Sequence, residues 1–352
     1  MHPHRRVFWF RRLALAGALL AAVVVVLGAW VRLTDAGLGC PDWPGCYGHL
    51  SPTNAAVDMG KAWREMIHRY FAGSLVVLTL ILAVLAFAHK RDRPAGGTIA
   101  PLTLAIVATI IVQALLGMLT VTWQVAPQIV TLHLLFGMAT LGLLWWLWLT
   151  LLARVPRTAT PALGRSPPVA WAQSHTVSRT LAFIGLCALI LQIALGGWTS
   201  TNYAAVACPD FPTCQHSWWP RMDFRNAFVL WHGLDIDYEG GVLTNAARTA
   251  IHVTHRLGAL VAGSILIGLG VLTLVRANSR RLKTAGGLLL LAVLLQVSIG
   301  VSMVHWGMPL TLATLHNAGA TLLIFSMLWL LRALWPAPAI GMVPLQRVDR
   351  IR

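Results

Sequence analysis

Charge is what this chain lacks. Only 11% of its 352 residues are Asp, Glu, Lys or Arg. A water-soluble domain carries about a quarter, so the shortage excludes a soluble globular fold. Acid is scarcer still, with 11 acidic residues against 27 basic ones. The low hydrophobicity that keeps a chain disordered is missing as well, because 57% of the residues are hydrophobic and the mean hydropathy is +0.70. Also missing are the Gly- or Pro-broken helices at the membrane midplane that mark many transporters. The net charge of +16 raises nucleic-acid binding, but the basic residues are spread over short segments between apolar runs, as in a membrane protein that displays its orientation.

Runs of about 20 apolar residues define transmembrane helices, and eight are legible: roughly 11–33, 65–88, 99–122, 128–152, 180–200, 250–275, 284–306 and 310–334. They are too long and too continuously apolar for barrel strands, and lipid admits only helices or closed barrels. With both termini on one side, that side holds 19 of the 27 basic residues and two acids, a net +17. The other side holds eight basic and nine acidic residues, a net −1. The positive-inside rule then places both termini in the cytoplasm and the long loops 34–64 and 201–249 outside.

The chain repeats. G-A-W at 28–30 answers G-G-W at 196–198, and CPDWPGC from Cys40 to Cys46 answers CPDFPTC from Cys208 to Cys214, both at an offset of 168. E-M-I-H-R ending at Arg69 answers H-V-T-H-R ending at Arg256 at an offset of 187. Q-x-x-x-G at Gln113 and Gln296, and T-L-H at His133 and His316, match at 183. Each unit has four spans, and an even number gives both units one orientation, with a pseudo-twofold axis along the membrane normal. The expected fold is an all-α polytopic membrane protein of two pseudo-twofold-related four-helix bundles, residues 1–153 and 179–335. A cytoplasmic linker (154–178) joins them and a cytoplasmic tail (336–352) follows. The first span, basic at its start and rich in small residues, looks like a cleaved signal peptide, but its counterpart in the fifth span makes it structural.

Four of the 13 histidines stand in repeat register: His68, His133, His255 and His316. Each is expected in the first one or two turns of an even-numbered span, so all four lie at similar depth near the outer surface. One imidazole from each of two facing helices is what six-coordinate haem requires. A lone intramembrane histidine is more simply a satisfied polar contact, and zinc would want three or four clustered ligands; four in register favour haem. Small residues after the ligands, such as Gly137, Gly258 and Gly319, leave room for a macrocycle or for close helix contact. His305 is a spare candidate ligand. Glu65 lies three residues before His68 on the same helix face and is matched by His252 in the second unit. It is either an acid–base group or a membrane-edge partner of Arg64 or Arg69. Arg69 and Arg256 could meet haem propionates or mark a helix end. Each outer C-x5-C pair is either a structural staple or a redox-active pair, and Cys187 reads as a small buried hydrophobe.

Taken together, R-L-T-D-A-G-L-G-C-P-D-W-P-G-C, E-M-I-H-R-Y, Y-E-G-G-V-L, A-I-H-V-T-H-R-L-G-A and the two T-L-H triplets resemble the haem A synthase family, in its cysteine-containing bacterial branch, over roughly residues 8–335. The resemblance implies oxidation of the C8 methyl of haem O to the formyl of haem A, the form that haem–copper oxidases need. It implies that His68 and His133 hold substrate haem O, that His255 and His316 hold a cofactor haem b, and that Glu65 is the catalytic carboxylate. It pairs Cys40 with Cys46 and Cys208 with Cys214 in periplasmic loops of a bacterial inner-membrane protein. The implied partners are haem O synthase, an electron acceptor and membrane lipid, with homo-oligomerisation open and no role for nucleic acid. Two rival classes are a quinol-linked diheme electron carrier, which has no use for Glu65 in one half only, and a disulfide-generating quinone reductase, which needs no haem ligands.

Overall fold

The computed structural model describes residues 3–53, 58–88, 99–152, 169–233 and 236–335. The expected tail 336–352 and most of the expected linker 154–178 lie outside them. Eight helices are long and apolar enough to cross a membrane: α1 (Pro3–Leu33), α2 (Met59–Ala88), α3 (Ile99–Thr122), α4 (Pro127–Leu152), α5 (Val169–Thr201), α7 (Asn245–Arg276), α8 (Arg280–His305) and α9 (Leu310–Leu334). A single-turn helix, α6 (Phe224–Ala227), lies in the long loop between α5 and α7. No strand occurs among the described residues.

Helices α1 to α4 form a closed ring of neighbours, with α1 touching α2 and α4, and α3 touching α2 and α4. Helices α5, α7, α8 and α9 close a second ring in the same way. This is consistent with the two-bundle arrangement. The rings meet through α4 and α9, the fourth helix of each repeat, and through α1–α9 and α4–α5 contacts. Half or more of the apolar windows of α4 and α9 is buried, against less than a third in the other six helices. In a membrane, lipid would solvate the exposed apolar faces of those six helices, which then need no protein partner. At the seam Trp145 stacks on Trp148 at 4.5 Å between centroids, and its indole N–H donates to the Phe325 carbonyl at 3.0 Å.

At the end of the bundles that carries the cysteine loops, the halves touch through equivalent residues. Arg32 donates to the Ser200 carbonyl at 2.7 Å, and the Tyr203 hydroxyl donates to Asp35 at 2.6 Å. Both contacts span 168 residues, which is the repeat offset itself. Self-complementary contact of this kind is what a twofold produces. The loop between α5 and α7 then reaches across to the first half. Its Glu239 pairs with Lys61 at 2.7 Å, and its Tyr238 amide donates to the Gln124 carbonyl at 3.3 Å.

The two cysteine loops share one local design. Disulfides join Cys40 to Cys46 and Cys208 to Cys214, with Cα atoms 4.8 and 4.6 Å apart. Two residues after the first cysteine, an aspartate side chain accepts from main-chain amides five and six residues further on. Asp42 accepts from the amides of Tyr47 and Gly48, and Asp210 from those of Gln215 and His216 and from the Thr213 hydroxyl. Those bonds let Tyr47 and Gln215 sit at φ of 54° and 55° without a glycine.

Candidate functional site

The four register histidines come together in pairs. His133 lies within electrostatic reach of His68, and His255 within reach of His316. Each ring packs on a glycine of a neighbouring helix. A methyl group at Gly28 would lie 3.0 Å from His68 Cε1, and one at Gly117 would lie 3.4 Å from His133 Cε1. The same test gives 3.2 Å between Gly196 and His255, and 3.0 Å between Gly300 and His316. A side chain at Gly28, Gly196 or Gly300 would press on its imidazole, whereas one at Gly117 would make ordinary contact. These four glycines obey the same two repeat offsets, 168 and 183, as the motifs around them.

All four rings are half-buried. Nδ1 of His68, of His133 and of His316 is enclosed and has no hydrogen-bond partner. Buried polar atoms are nearly always paired, so a cluster of unpaired imidazole nitrogens is what a ligand site would leave. In the second half a cavity between α5, α7, α8 and α9 is lined by both His255 and His316, with Leu266, Val293 and Ala320 among its apolar walls. It encloses about 120 Å³ within a cleft of about 770 Å³ counted to its open side. The two imidazoles, with Gln192, Gln296 and Asn317, are set in otherwise apolar walls, which suits a flat, mostly hydrophobic macrocycle held by iron.

Two of the ligand-bearing helices start earlier than expected. His133 and His316 lie six residues into α4 and α9. His68 and His255 lie nine and ten residues into theirs, beyond two turns, because α2 and α7 start at Met59 and Asn245. Those early starts are capped by Asp58, which accepts from the Lys61 amide at 2.9 Å, and by Thr244, which accepts from Ala247.

Glu65 is buried, and both its oxygens are engaged. Oε2 accepts from the Cys40 amide at 2.8 Å, and Oε1 pairs with Arg69. Arg64 turns instead to the Gly60 carbonyl. Arg69 and Arg256 spend their remaining donors on the cysteine loops. Arg69 binds the carbonyls of Asp42, Pro44 and Gly45, and Arg256 those of Cys208, Asp210 and Thr213. Each disulfide loop is thus clamped to the helix that carries a candidate ligand. At the position matching Glu65, His252 is buried and lies 3.3 Å from Arg256 Nε.

Burial pushes the Asp42 carboxyl up, but the amides of Gly48 and Tyr47 outweigh it and hold the group below its usual range. Asp210 is held low by the Thr213 hydroxyl first, then by the amides of His216 and Gln215. Both aspartates remain charged near neutrality, and so the loops keep their shape.

Two expectations are corrected. Cys187 is exposed on the outer face of α5, where lipid would meet it, and is not a buried hydrophobe. The room beside Gly137, Gly258 and Gly319 is taken up in part by glutamine amides: a methyl at Gly258 would lie 2.4 Å from Gln192 Oε1, and one at Gly319 only 2.0 Å from Gln296 Oε1. His305 is exposed at the end of α8, outside the cavity. Sequence reading passed over Gln192, although Q-I-A-L-G at 192–196 carries the same Q-x-x-x-G spacing as Gln113 and Gln296.

The fold and its histidines define a class: polytopic helical membrane proteins of two fused four-helix repeats, with a facing imidazole pair in each. A family model described as cytochrome oxidase assembly protein, COX15-CtaA, matches residues 11–328. The chain is 39% identical over 342 residues to the heme A synthase of Shewanella oneidensis, covering 93% of this chain and 96% of that one. It is 27% identical over 336 residues to the heme A synthase of Halalkalibacterium halodurans, covering 92% and 97%. The chain belongs to the COX15-CtaA family, the family of haem A synthases.

Proposed function

We propose that this protein makes haem A from haem O in a bacterial inner membrane, with its termini in the cytoplasm and its disulfide loops in the periplasm. Haem O is the substrate, held through its iron by His68 and His133. His255 and His316 hold a haem b, which supplies a one-electron relay when bound. The single observation that carries the reading is the asymmetry of the repeat: both halves keep the imidazole pair over glycines, but only the first has a buried carboxylate, Glu65, one turn from a ligand.

The conversion of a methyl to a formyl group removes four electrons. Each of two hydroxylations takes CH3 or CH2OH and one water, and releases two protons and two electrons. Loss of water from the resulting diol leaves the aldehyde. Glu65 is suited to the proton side of each step. Arg69 and the Cys40 amide fix its two oxygens in place, yet a carboxylate has about four lone-pair sites, so each oxygen can still accept from a water at the substrate methyl. The Arg69 clamp also seats the first cysteine loop over this region, where it can keep bulk water off the reacting carbon. His252 in the second half offers no carboxylate, in keeping with electron transfer there and no oxidation of a methyl. Haem O synthase is the expected upstream partner, and a membrane electron acceptor takes the four electrons.

To test this, Glu65→Ala protein is expressed beside wild type and the extracted haems are analysed. Haem A should fall by about 100-fold or more, within the range for loss of a general base, with haem O retained. Wild-type levels of haem A would remove Glu65 from the chemistry, and a wild type holding haem B alone, two per chain, would favour the diheme electron carrier.

A further inference from the structure

The same helical spacing that sets a glycine against each imidazole also sets a residue one turn before it. Ahead of Gly117, Gly196 and Gly300 that residue is Gln113, Gln192 or Gln296; ahead of Gly28 it is Val24. In the second half both amides meet their histidine. Gln192 Nε2 lies 3.0 Å from His255 Nδ1 and donates to the His255 carbonyl at 3.0 Å. Gln296 Nε2 lies 3.3 Å from His316 Nε2 and donates to the His316 carbonyl at 3.0 Å. Each amide is wedged against a glycine, Gly258 or Gly319, on the histidine's own helix. In the first half no glutamine amide meets either imidazole among the described residues. His68 interacts with the main chain of Val24, and Gln113 makes no hydrogen bond to His133 among the described residues, its Oε1 being unpartnered.

We propose that Gln192 and Gln296 are positioning residues that lock His255 and His316 as permanent iron ligands, and that His133, which has no such partner, leaves the first half with an exchangeable ligand for a haem that must enter and leave. The inference rests on the reading of the two haem sites above. An imidazole bound to iron through one nitrogen carries a proton on the other, and that N–H almost always has an acceptor that fixes the ring and raises its basicity. Oε1 of Gln192 and of Gln296 is buried without a partner, on the very amides that already touch the rings. Turning the amide end for end would bring Oε1 to such an N–H, at the cost of the bond that Nε2 now gives to the histidine carbonyl. A resident cofactor benefits from that restraint. A substrate whose product has to be released does not.

The test uses full-length protein in detergent in an H68A background, so that haem titrated back is counted at the second half alone. Q192L and Q296L keep the side-chain volume and lose the hydrogen bond; each should weaken haem binding about 10- to 100-fold, the usual cost of removing such a partner, and raise the iron midpoint potential. Q192E and Q296E should restore binding and lower the potential, because a carboxylate acceptor makes the imidazole more electron-rich. Q113L should leave both quantities as in the parent. Leucine variants that match the parent in affinity and potential overturn the proposal, and so does lost affinity that glutamate fails to restore with the potential unmoved, which is the mark of a packing role only. A parent that binds no haem overturns this inference together with the functional reading, whereas a haem-loaded parent with insensitive variants overturns this inference alone.

Discussion

A single carbon atom separates a usable imidazole from a displaced one in this protein. Gly196 lies under His255 in tight contact, since a Cβ there would sit 3.2 Å from the ring. Gly196→Val adds two further methyl groups on a β-branched carbon whose rotamer in a helix is nearly fixed, so the ring, and not the valine, must move. The expected result is a second half unable to hold haem, with the Soret absorbance of the purified protein falling by about half if both sites are otherwise filled, and with the helical circular dichroism unchanged. Retention of the full Soret band would show that the ring tolerates the shift. The same logic separates the four glycines under the rings from Gly73, Gly263 and Gly268, where a methyl group would meet nothing within 4 Å.

At the scale of an element, each cysteine loop is a small closed unit held by an aspartate within it and an arginine beneath it. Its pH dependence follows from the aspartates. Asp42 and Asp210 both have carboxyls held below the ordinary value of 3.8. A depressed folded-state value contributes stability that is complete above the unfolded value and is lost as pH falls through the folded one. Both loops should therefore stay closed from neutrality to about pH 4 and open below it. A water-soluble phosphine that reduces disulfides in acid would read this as faster reduction at low pH, and Asp210→Asn should flatten the curve for the second loop; a rate independent of pH in the unsubstituted protein would contradict the account. These loops also show where legibility in the sequence ends. The repeated C-P-D-x-P-x-C announced a matched pair of turns, and hydropathy announced all eight spans. The starts of α2 and α7 were read late, by six and five residues, because polar first turns there carry no apolar signal; the caps Asp58 and Thr244 were the available cue. Glu65 and the histidines stood out through repeat register. The clamp made by Arg69 and Arg256 did not, because a guanidinium that binds main-chain carbonyls leaves no pattern in side-chain types.

Over the whole molecule, the duplication explains why the halves fit, and small departures from it explain why they differ in role. Equivalent positions meet at the seam: Arg32 with Ser200, and Asp35 with Tyr203. Because the partners differ in type, the contact is a directional network and not a mirrored pair. Arg32 bonds a carbonyl of the second half, pairs with Asp35 at 3.2 Å and lies 4.1 Å over the Tyr203 ring, whose hydroxyl returns to Asp35. Arg32 is mostly shielded from water, with a side chain 15% exposed, and hydrogen bonds to charged groups contribute about 1.5–3 kcal/mol each. Arg32→Ala should then destabilise the detergent-solubilised protein by about 2 kcal/mol, read as a lower denaturation midpoint, and Tyr203→Phe by about 1 kcal/mol for one lost bond. Since both side chains share Asp35, the double variant should cost less than the two together, by more than the 0.3–0.5 kcal/mol or so within which independent sites add. Strict additivity would mean that Arg32 and Tyr203 act apart, and that the seam between the halves is held by the packing of α4 on α9 without help from the twofold contact at its outer end.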